Sequence, residues 1–68
     1  MPIDIVVNGE PETVPQGLTI LGLLLRLKVA PERVAVELDR RIVKQPKWEE
    51  TTLEAGARVE IVQFVGGG

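Results

Sequence analysis

The chain begins with a mostly apolar run rich in β-branched residues, at positions 3–7, and the residues that follow it predict a β-hairpin. On the first strand, the inward positions are Ile3, Ile5 and Val7, and the outward positions are Asp4 and Val6. The pair Asn8-Gly9 follows, and it tolerates the positive φ angles of a type I′ turn. The return strand over residues 10–14 contains Pro11 and precedes Pro15, so we expect it at the edge of a sheet.

The next apolar positions recur at helical spacing and predict a helix over residues 20–28. The positions on its main apolar face are Ile20, Leu23, Leu24 and Leu27, and Leu21 and Leu25 widen that face sideways. Thr19 is the predicted N-cap, and Ala30-Pro31 is the predicted stop, because a residue before proline avoids helical geometry. Contact of one flank with a partner or with another copy of the chain is an alternative, but we interpret the segment as a core helix.

Three further strands are predicted at residues 34–38, 42–43 and 58–62. Their inward positions are Val34, Val36, Leu38, Val59 and Ile61. The outward positions of the last strand are Arg58, Glu60 and Val62, and Phe64 follows on the same side. Between these strands lies a polar, irregular stretch, from which we expect Trp48 to cover one end of the core.

This order of elements favours an α+β domain over residues 1–65: a mixed sheet of four to five strands with one main helix packed on one face. The opposite sheet face stays open. Exposed apolar residues can mark a docking site for a protein partner. The residues predicted for such a partner-binding surface are Val6, Val62, Phe64 and Val65.

The composition excludes most catalytic chemistry, since the chain contains no Cys, Ser, His or Tyr. Zinc and iron–sulfur sites need Cys or His, so no metal site is expected. No glycine-rich phosphate loop is present, so no bound cofactor is expected and the chain is not expected to be an enzyme. No long apolar run predicts a membrane span or a signal peptide, so a cytoplasmic location is the expectation.

A loose basic cluster surrounds the single tryptophan; its members are Arg40, Arg41, Lys44 and Lys47. A nucleic-acid patch is one interpretation of such a cluster. However, Glu49-Glu50 follow at once, and no second aromatic residue is interleaved for base stacking. We therefore interpret the stretch as a solvated loop and expect no nucleic-acid partner.

Residues 66–68 form a glycine tail after the last strand. Glycine gives up the most conformational freedom on ordering, so a flexible tail is predicted there. Without Cβ atoms, Gly66 and Gly67 can thread a narrow channel, and the carboxylate of Gly68 can reach a nucleotide bound to an enzyme. Because a carboxylate is a poor electrophile, activation as an acyl adenylate suits this end of the chain.

The sequence resembles the ThiS family of bacterial sulfur carriers in thiamine biosynthesis along its whole length. The segments that carry the resemblance are 7–10 (Val-Asn-Gly-Glu), 34–38 (Val-Ala-Val-Glu-Leu), 42–43, Trp48, Leu53 and 59–68 (Val-Glu-Ile-Val-Gln-Phe-Val-Gly-Gly-Gly). The resemblance implies a ubiquitin-like β-grasp fold whose first and last strands pair in parallel. Departures from the family pattern at Asp39, Gln45 and Ala57 all fall in predicted loops.

The resemblance also implies a mechanism. A ThiF-type adenylyltransferase uses ATP to adenylate the Gly68 carboxylate, and a sulfur donor such as a cysteine desulfurase converts it to a thiocarboxylate (1-thioglycine). Thiazole synthase ThiG then takes the sulfur into the thiazole ring of thiamine. Three related roles stay open: a carrier like the small subunit of molybdopterin synthase, a carrier for tRNA thiolation, and a protein modifier joined to lysines. An interaction domain with an inert tail is a further alternative.

Overall fold

The computed structural model describes residues 1–64. The elements of this part are β1 (Pro2–Val7), β2 (Glu10–Pro15), α1 (Ile20–Arg26), β3 (Val34–Leu38), β4 (Arg41–Val43) and β5 (Arg58–Gln63). Short 3₁₀ turns cover Pro31–Arg33 and Gln45–Lys47. The strands form one sheet in the order β2-β1-β5-β3-β4, in which β1 and β5 pair in parallel and the other neighbours pair antiparallel. The predicted α+β fold is confirmed, and β2 lies at a sheet edge as expected.

Both β-hairpins turn through residues with positive φ. Asn8 and Gly9 have φ values of 51° and 82° between β1 and β2, as a type I′ turn requires. Asp39 and Arg40 have φ values of 51° and 71° between β3 and β4, although neither is glycine. Asp enters this region of backbone space more readily than most L-residues, whereas Arg rarely does, so Arg40 is the unusual residue of the second turn.

Helix α1 begins at its predicted cap but ends before its predicted stop. The Gly22 N–H donates to Thr19 Oγ1 at 3.0 Å, which is the N-cap contact that the sequence predicted. At the other end, Lys28 takes φ 61° and its N–H donates to the Leu25 carbonyl, while the Val29 N–H donates to the Leu24 carbonyl. This pair of bonds is a Schellman motif, so the helix stops at Arg26 and Lys28 lies outside it.

The core lies between α1 and the inner face of the sheet. Its buried members are Ile5, Val7, Val14, Ile20, Leu23, Leu24, Val34, Val36, Trp48, Leu53, Ala57 and Val59. Trp48 is buried as predicted, and its Nε1 donates to the Val43 carbonyl at 2.7 Å, which ties the polar stretch to β4. Within residues 1–64, the structure contains no helix with the length and apolar character that a membrane span needs.

Candidate docking surface and the base of the tail

Strand β5 leads to the glycine tail, and the turn at Asn8 holds it on one side. The Val6 N–H donates to the Ala57 carbonyl at 2.9 Å, and the Asn8 N–H donates to the Val59 carbonyl at 2.8 Å. At Asn8 the chain leaves the sheet, and the Ile61 N–H instead donates to Asn8 Oδ1 at 2.7 Å. The amide oxygen thus stands where the next backbone carbonyl of a longer β1 would stand.

On its other side, β5 is held by β3 and by the turn that follows β3. The Arg58 N–H donates to Asp39 Oδ1 at 2.9 Å, and the Asp39 N–H donates back to the Arg58 carbonyl at 2.8 Å. Beyond the last residue of β5, the Phe64 N–H donates to the Arg33 carbonyl at 2.9 Å. The backbone leading to the tail is therefore fixed as far as Phe64.

The predicted reactive end, Gly68, and the predicted threading residues, Gly66 and Gly67, lie outside the described residues, as does Val65. Covalent geometry still limits their reach. Gly68 stands four residues after Phe64. A fully extended chain spans at most about 3.3–3.6 Å per residue, so four residues bridge at most about 13–14 Å between the Cα atoms of Phe64 and Gly68.

Beside the base of the tail, the sheet face opposite α1 carries an apolar patch. Val62 and Phe64 are 55% and 57% exposed, and Val62 lies directly opposite Ala35 on β3. Ile42 is 72% exposed. Together with Ala35 and Phe64 it contributes to a groove of about 250 Å³ that is otherwise lined mostly by residues of the inner sheet face and of the two 3₁₀ turns. We call these residues the tail-end patch: Ala35, Ile42, Val62 and Phe64.

Val6 lies on the same sheet face but far from this patch. It is half-buried and pairs with Arg58, whereas Val62 stands four residues further along β5. At about 3.3 Å per residue, that separation is about 13 Å along the strand. Of the predicted surface residues within the described part, the structure thus brings Val62 and Phe64 together and places Val6 at the other end of β5. A docking role for any of them stays a prediction.

Two members of the tail-end patch, Ala35 and Ile42, were missed from the sequence. Alternation along the strand already indicates that Ala35 faces outward, because its neighbours Val34 and Val36 were predicted to face inward. Ile42 lies on the open face because it pairs with Glu37, which faces outward. That pairing depends on the register between β3 and β4. Register between strands is not encoded by either strand alone.

Two carboxylates lie directly opposite each other next to the patch. Glu37 of β3 pairs with Glu60 of β5, and both occupy outward positions of the sheet. Glu37 also lies opposite Ile42, and Glu60 stands two residues before Val62. Within residues 1–64 the ion pair found is Lys47 with Glu50 at 3.1 Å, so neither Glu37 nor Glu60 has a cationic partner within 4.0 Å there.

The match to known proteins covers the domain and continues to the last glycine. The ThiS family model matches residues 4–68. The chain belongs to the ThiS family. The crystal structure of a thiamine biosynthesis protein (ThiS) from Geobacter metallireducens superimposes with a TM-score of 0.84 at 39% identity, covering 97% of this chain and all of that one. The solution structure of a thiamine biosynthesis protein from the same organism gives a TM-score of 0.81, also at 39% identity, over 97% of this chain and 88% of that one. The predicted ubiquitin-like β-grasp fold of a ThiS-like sulfur carrier is thereby confirmed.

Relatives of this ThiS-family chain include much longer proteins. A thiazole synthase of Magnetococcus marinus is 41% identical over 61 residues, which are 90% of this chain and 19% of that protein. A thiazole synthase of Paramagnetospirillum magneticum is 36% identical over 94% of this chain and 20% of that protein. The chain therefore spans about a fifth of the length of these relatives. The protein ycf40 of Porphyra purpurea is 33% identical over 97% of this chain and 93% of its own length.

Proposed function

We propose that this chain carries sulfur on the carboxylate of Gly68 for the thiazole ring of thiamine. A ThiF-type adenylyltransferase joins that carboxylate to the α-phosphorus of ATP and releases pyrophosphate. A sulfur nucleophile then attacks the acyl carbon, AMP leaves, and a thiocarboxylate remains. Where the donor is the persulfide of a cysteine desulfurase, the attack forms an acyl disulfide with the desulfurase cysteine. A thiol reductant then cleaves its sulfur–sulfur bond, which releases the thiocarboxylate and the cysteine thiol. Thiazole synthase ThiG accepts the sulfur from the carrier in the cytoplasm.

The observation that carries this proposal is the family match, which extends through Gly68. The chain offers no cysteine on which sulfur could be carried by a side chain. Residues 1–64 also contain no buried polar or charged side chain of the kind that catalytic sites hold. A carrier whose chemistry takes place at the main-chain carboxylate needs none of these groups.

Thiamine biosynthesis is favoured over the related pathways by the names of the relatives. A solved structure with 39% identity is a thiamine biosynthesis protein, and two relatives are thiazole synthases. In those two relatives, the segment that resembles this chain belongs to the same polypeptide as the rest of the protein. Covalent joining raises the effective concentration of one module at another, which suits a carrier and the enzyme that it supplies.

The tail-end patch is the surface on which the adenylyltransferase docks in this proposal. The Phe64 N–H is bonded to the Arg33 carbonyl, and four residues of extended chain reach at most about 13–14 Å beyond Phe64. An enzyme that binds the carboxylate in its active site therefore covers the sheet around Val62 and Phe64, together with Val65, which precedes the tail. Val6, at the far end of β5, contacts a partner only where that partner extends along the whole open face.

Intact mass spectrometry tests the carrier role. The purified chain is incubated with a ThiF-type adenylyltransferase, ATP, a cysteine desulfurase, cysteine and a thiol reductant. The expected product has one oxygen replaced by sulfur, and the same chain with its terminus blocked as an amide gains no sulfur. Adducts of high mass that resist reductant and denaturant indicate a protein modifier instead. An unmodified chain in the complete mixture contradicts the proposal.

The acceptor is tested by adding the sulfur-loaded chain to thiazole synthase or to a molybdopterin precursor with its synthase. Formation of the thiazole ring, with return of the original mass of the chain, is the expected result. Sulfur transfer to the molybdopterin precursor alone assigns the chain to the other pathway.

A further inference from the structure

We propose that the adenylyltransferase presents a cationic side chain, the guanidinium of Arg or the ammonium of Lys, to the facing carboxylates Glu37 and Glu60. This inference rests on the proposed function and adds the chemistry of the contact. Its basis is the placement of two like charges directly opposite each other beside the apolar tail-end patch.

The register of the sheet fixes the two carboxylates side by side. Glu37 and Glu60 are cross-strand partners between β3 and β5. Directly opposed residues of an antiparallel pair have Cβ atoms about 4.5–5.5 Å apart, and like charges in that arrangement destabilise the sheet. Arg58 stands on the same face two residues before Glu60, yet it makes no ion pair within 4.0 Å in the described part of the chain. Within residues 1–64, Glu37 and Glu60 therefore form a like-charge pair with no cationic group within 4.0 Å.

When the adenylyltransferase docks, the repulsion between the two carboxylates increases unless the enzyme supplies a cation. Glu37 lies opposite Ile42, and Glu60 stands two residues before Val62, so the carboxylates border the patch on both strands. A protein surface that covers Ile42 and Val62 removes water from around both carboxylates. Repulsion between the charges then rises as the effective dielectric constant falls. A carboxylate buried without a partner is strongly unfavourable, whereas a cation between two carboxylates compensates both.

The short reach of the tail leaves the adenylyltransferase little freedom to avoid the pair. Four residues of extended chain reach at most about 13–14 Å beyond Phe64. The active site of the adenylyltransferase, which must receive the Gly68 carboxylate, therefore stands close to the tail-end patch. An apolar partner surface with a cation at this position is therefore complementary to the chain, and one with an acidic group there is rejected. The facing carboxylates thus select the partner as well as binding it.

The test measures pyrophosphate release by a ThiF-type adenylyltransferase as a function of the concentration of the chain. We expect Glu37→Gln and Glu60→Gln each to raise KM for the chain by about fivefold or more, because one charge-assisted contact is weakened. The value of kcat at saturating chain stays near wild type, since the tail is intact. Added salt raises KM for the wild type and has a smaller effect on the double variant.

Stability provides the second readout, because the same substitutions remove repulsion. The midpoint of urea unfolding, followed by Trp48 fluorescence, is expected to rise in both single variants. Glu60→Arg places a cation of the chain opposite Glu37, so stability rises further while KM rises more than in Glu60→Gln. A merely structural role for the glutamates would not give higher stability together with weaker docking.

The matched control is Glu54→Gln, since Glu54 is an exposed glutamate in the loop before β5 and outside the sheet. Its KM and its salt dependence are expected to equal those of the wild type. If the wild type releases pyrophosphate and both Glu37→Gln and Glu60→Gln keep the wild-type KM, the proposed cation contact is wrong. The proposed carrier role is then unaffected. No pyrophosphate release by the wild type overturns the carrier role and, with it, the inference.

Discussion

Asn8 combines a backbone with φ 51° and a side chain that accepts a hydrogen bond from the Ile61 N–H. The first property is local, and the pair Asn8-Gly9 predicted it. The second joins residues 53 positions apart in the chain, so it depends on β1 and β5 lying in parallel. Sequence reasoning therefore found the turn but not the contact that holds the strand leading to the tail.

Replacing Asn8 separates these two properties. Asn8→Gly keeps a residue suited to positive φ but removes the acceptor, so the half-buried Ile61 loses the partner of its N–H. We expect a loss of about 1 kcal/mol in the free energy of unfolding, measured by urea denaturation with Trp48 fluorescence. Asn8→Asp keeps an oxygen acceptor and is the control, with stability close to wild type. Equal losses in both variants would show that the hydrogen bond contributes nothing.

Val62 tests the tail-end patch at the level of one side chain. Val62→Asp places a charge at a position that is 55% exposed, so the fold tolerates it, while the apolar contact with the adenylyltransferase is lost. We expect KM for the chain in pyrophosphate release to rise by about tenfold or more, with the unfolding midpoint nearly unchanged.

The control for Val62→Asp is Leu25→Asp, because Leu25 is a comparably exposed apolar residue, at 61%, and lies on α1. That variant is expected to keep the wild-type KM. A similar rise in KM for both variants would refute the location of the docking surface. An unfolded Val62→Asp chain would instead place Val62 in the core.

At the scale of elements, α1 depends on its surroundings. It has only seven residues, and isolated helices shorter than about 12–15 residues are marginal in water. The Ile20 N–H donates to the Thr51 carbonyl at 3.0 Å and the Leu21 N–H to the Trp48 carbonyl at 3.2 Å, while the Leu53 N–H donates to the Leu18 carbonyl. The loop after β4 thus supplies acceptors for N–H groups that the start of a helix leaves unpaired.

The hydrogen bond from the Gly22 N–H to Thr19 Oγ1 allows a test of how much the N-cap of α1 contributes to the free energy of unfolding. Thr19→Ala removes the acceptor of the Gly22 N–H, and we expect a loss of about 1 kcal/mol in the free energy of unfolding. Thr19→Ser keeps the hydroxyl and should have nearly wild-type stability. Because α1 lies on the face opposite the tail-end patch, KM with the adenylyltransferase should be unchanged in both. Full stability of Thr19→Ala would mean that the carbonyls of the loop suffice as caps.

The ends of the elements show where sequence reasoning reached its limit. The start of α1 was predicted because Thr19 is a favourable N-cap residue. Its end was placed too late, since Lys28 takes the left-handed conformation that glycine usually marks at such a position. The Asp39-Arg40 turn also lacks glycine, but it falls in a loop that the sequence predicted. The Asp39 N–H donates to the Arg58 carbonyl, and the Arg58 N–H donates to the Asp39 carboxylate. The end of α1 was thus decided by the local conformation of Lys28, and the geometry of the turn is held by contacts with β5.

At the scale of the whole molecule, the resemblance predicted more than the pattern did. Alternation and helical spacing gave the faces of the strands and of the helix. The parallel pairing of β1 with β5 came from the resemblance to the ThiS family, and the structure confirms it. The tail-end patch could be predicted only in part, because Val62 meets Ala35 through the register of two strands that are 20 residues apart at their nearest ends, Leu38 and Arg58.

Deleting Gly68 tests whether the domain supplies the stability of the chain while the tail supplies the site of sulfur loading. The buried core extends from Ile5 to Val59, so removal of the last residue should leave the free energy of unfolding unchanged. Sulfur loading, measured by intact mass, is expected to fall to background, because the shortened tail no longer reaches the point of attack. Replacing Glu12 with Gln on the edge strand β2 is the control for loading. Normal loading of the shortened chain would refute the terminal site.

The hydrogen bond from the Phe64 N–H to the Arg33 carbonyl fixes the position on the domain from which the tail, and the sulfur proposed to be bound at its end, extends. In the proposed cycle, the enzyme that loads sulfur and the enzyme that unloads it must each approach within the same short distance of that point. Two enzymes of ordinary size cannot share so small an area, so the carrier must leave one before it meets the other. The lifetime of each complex then limits the flux of sulfur, which favours an interface of modest affinity.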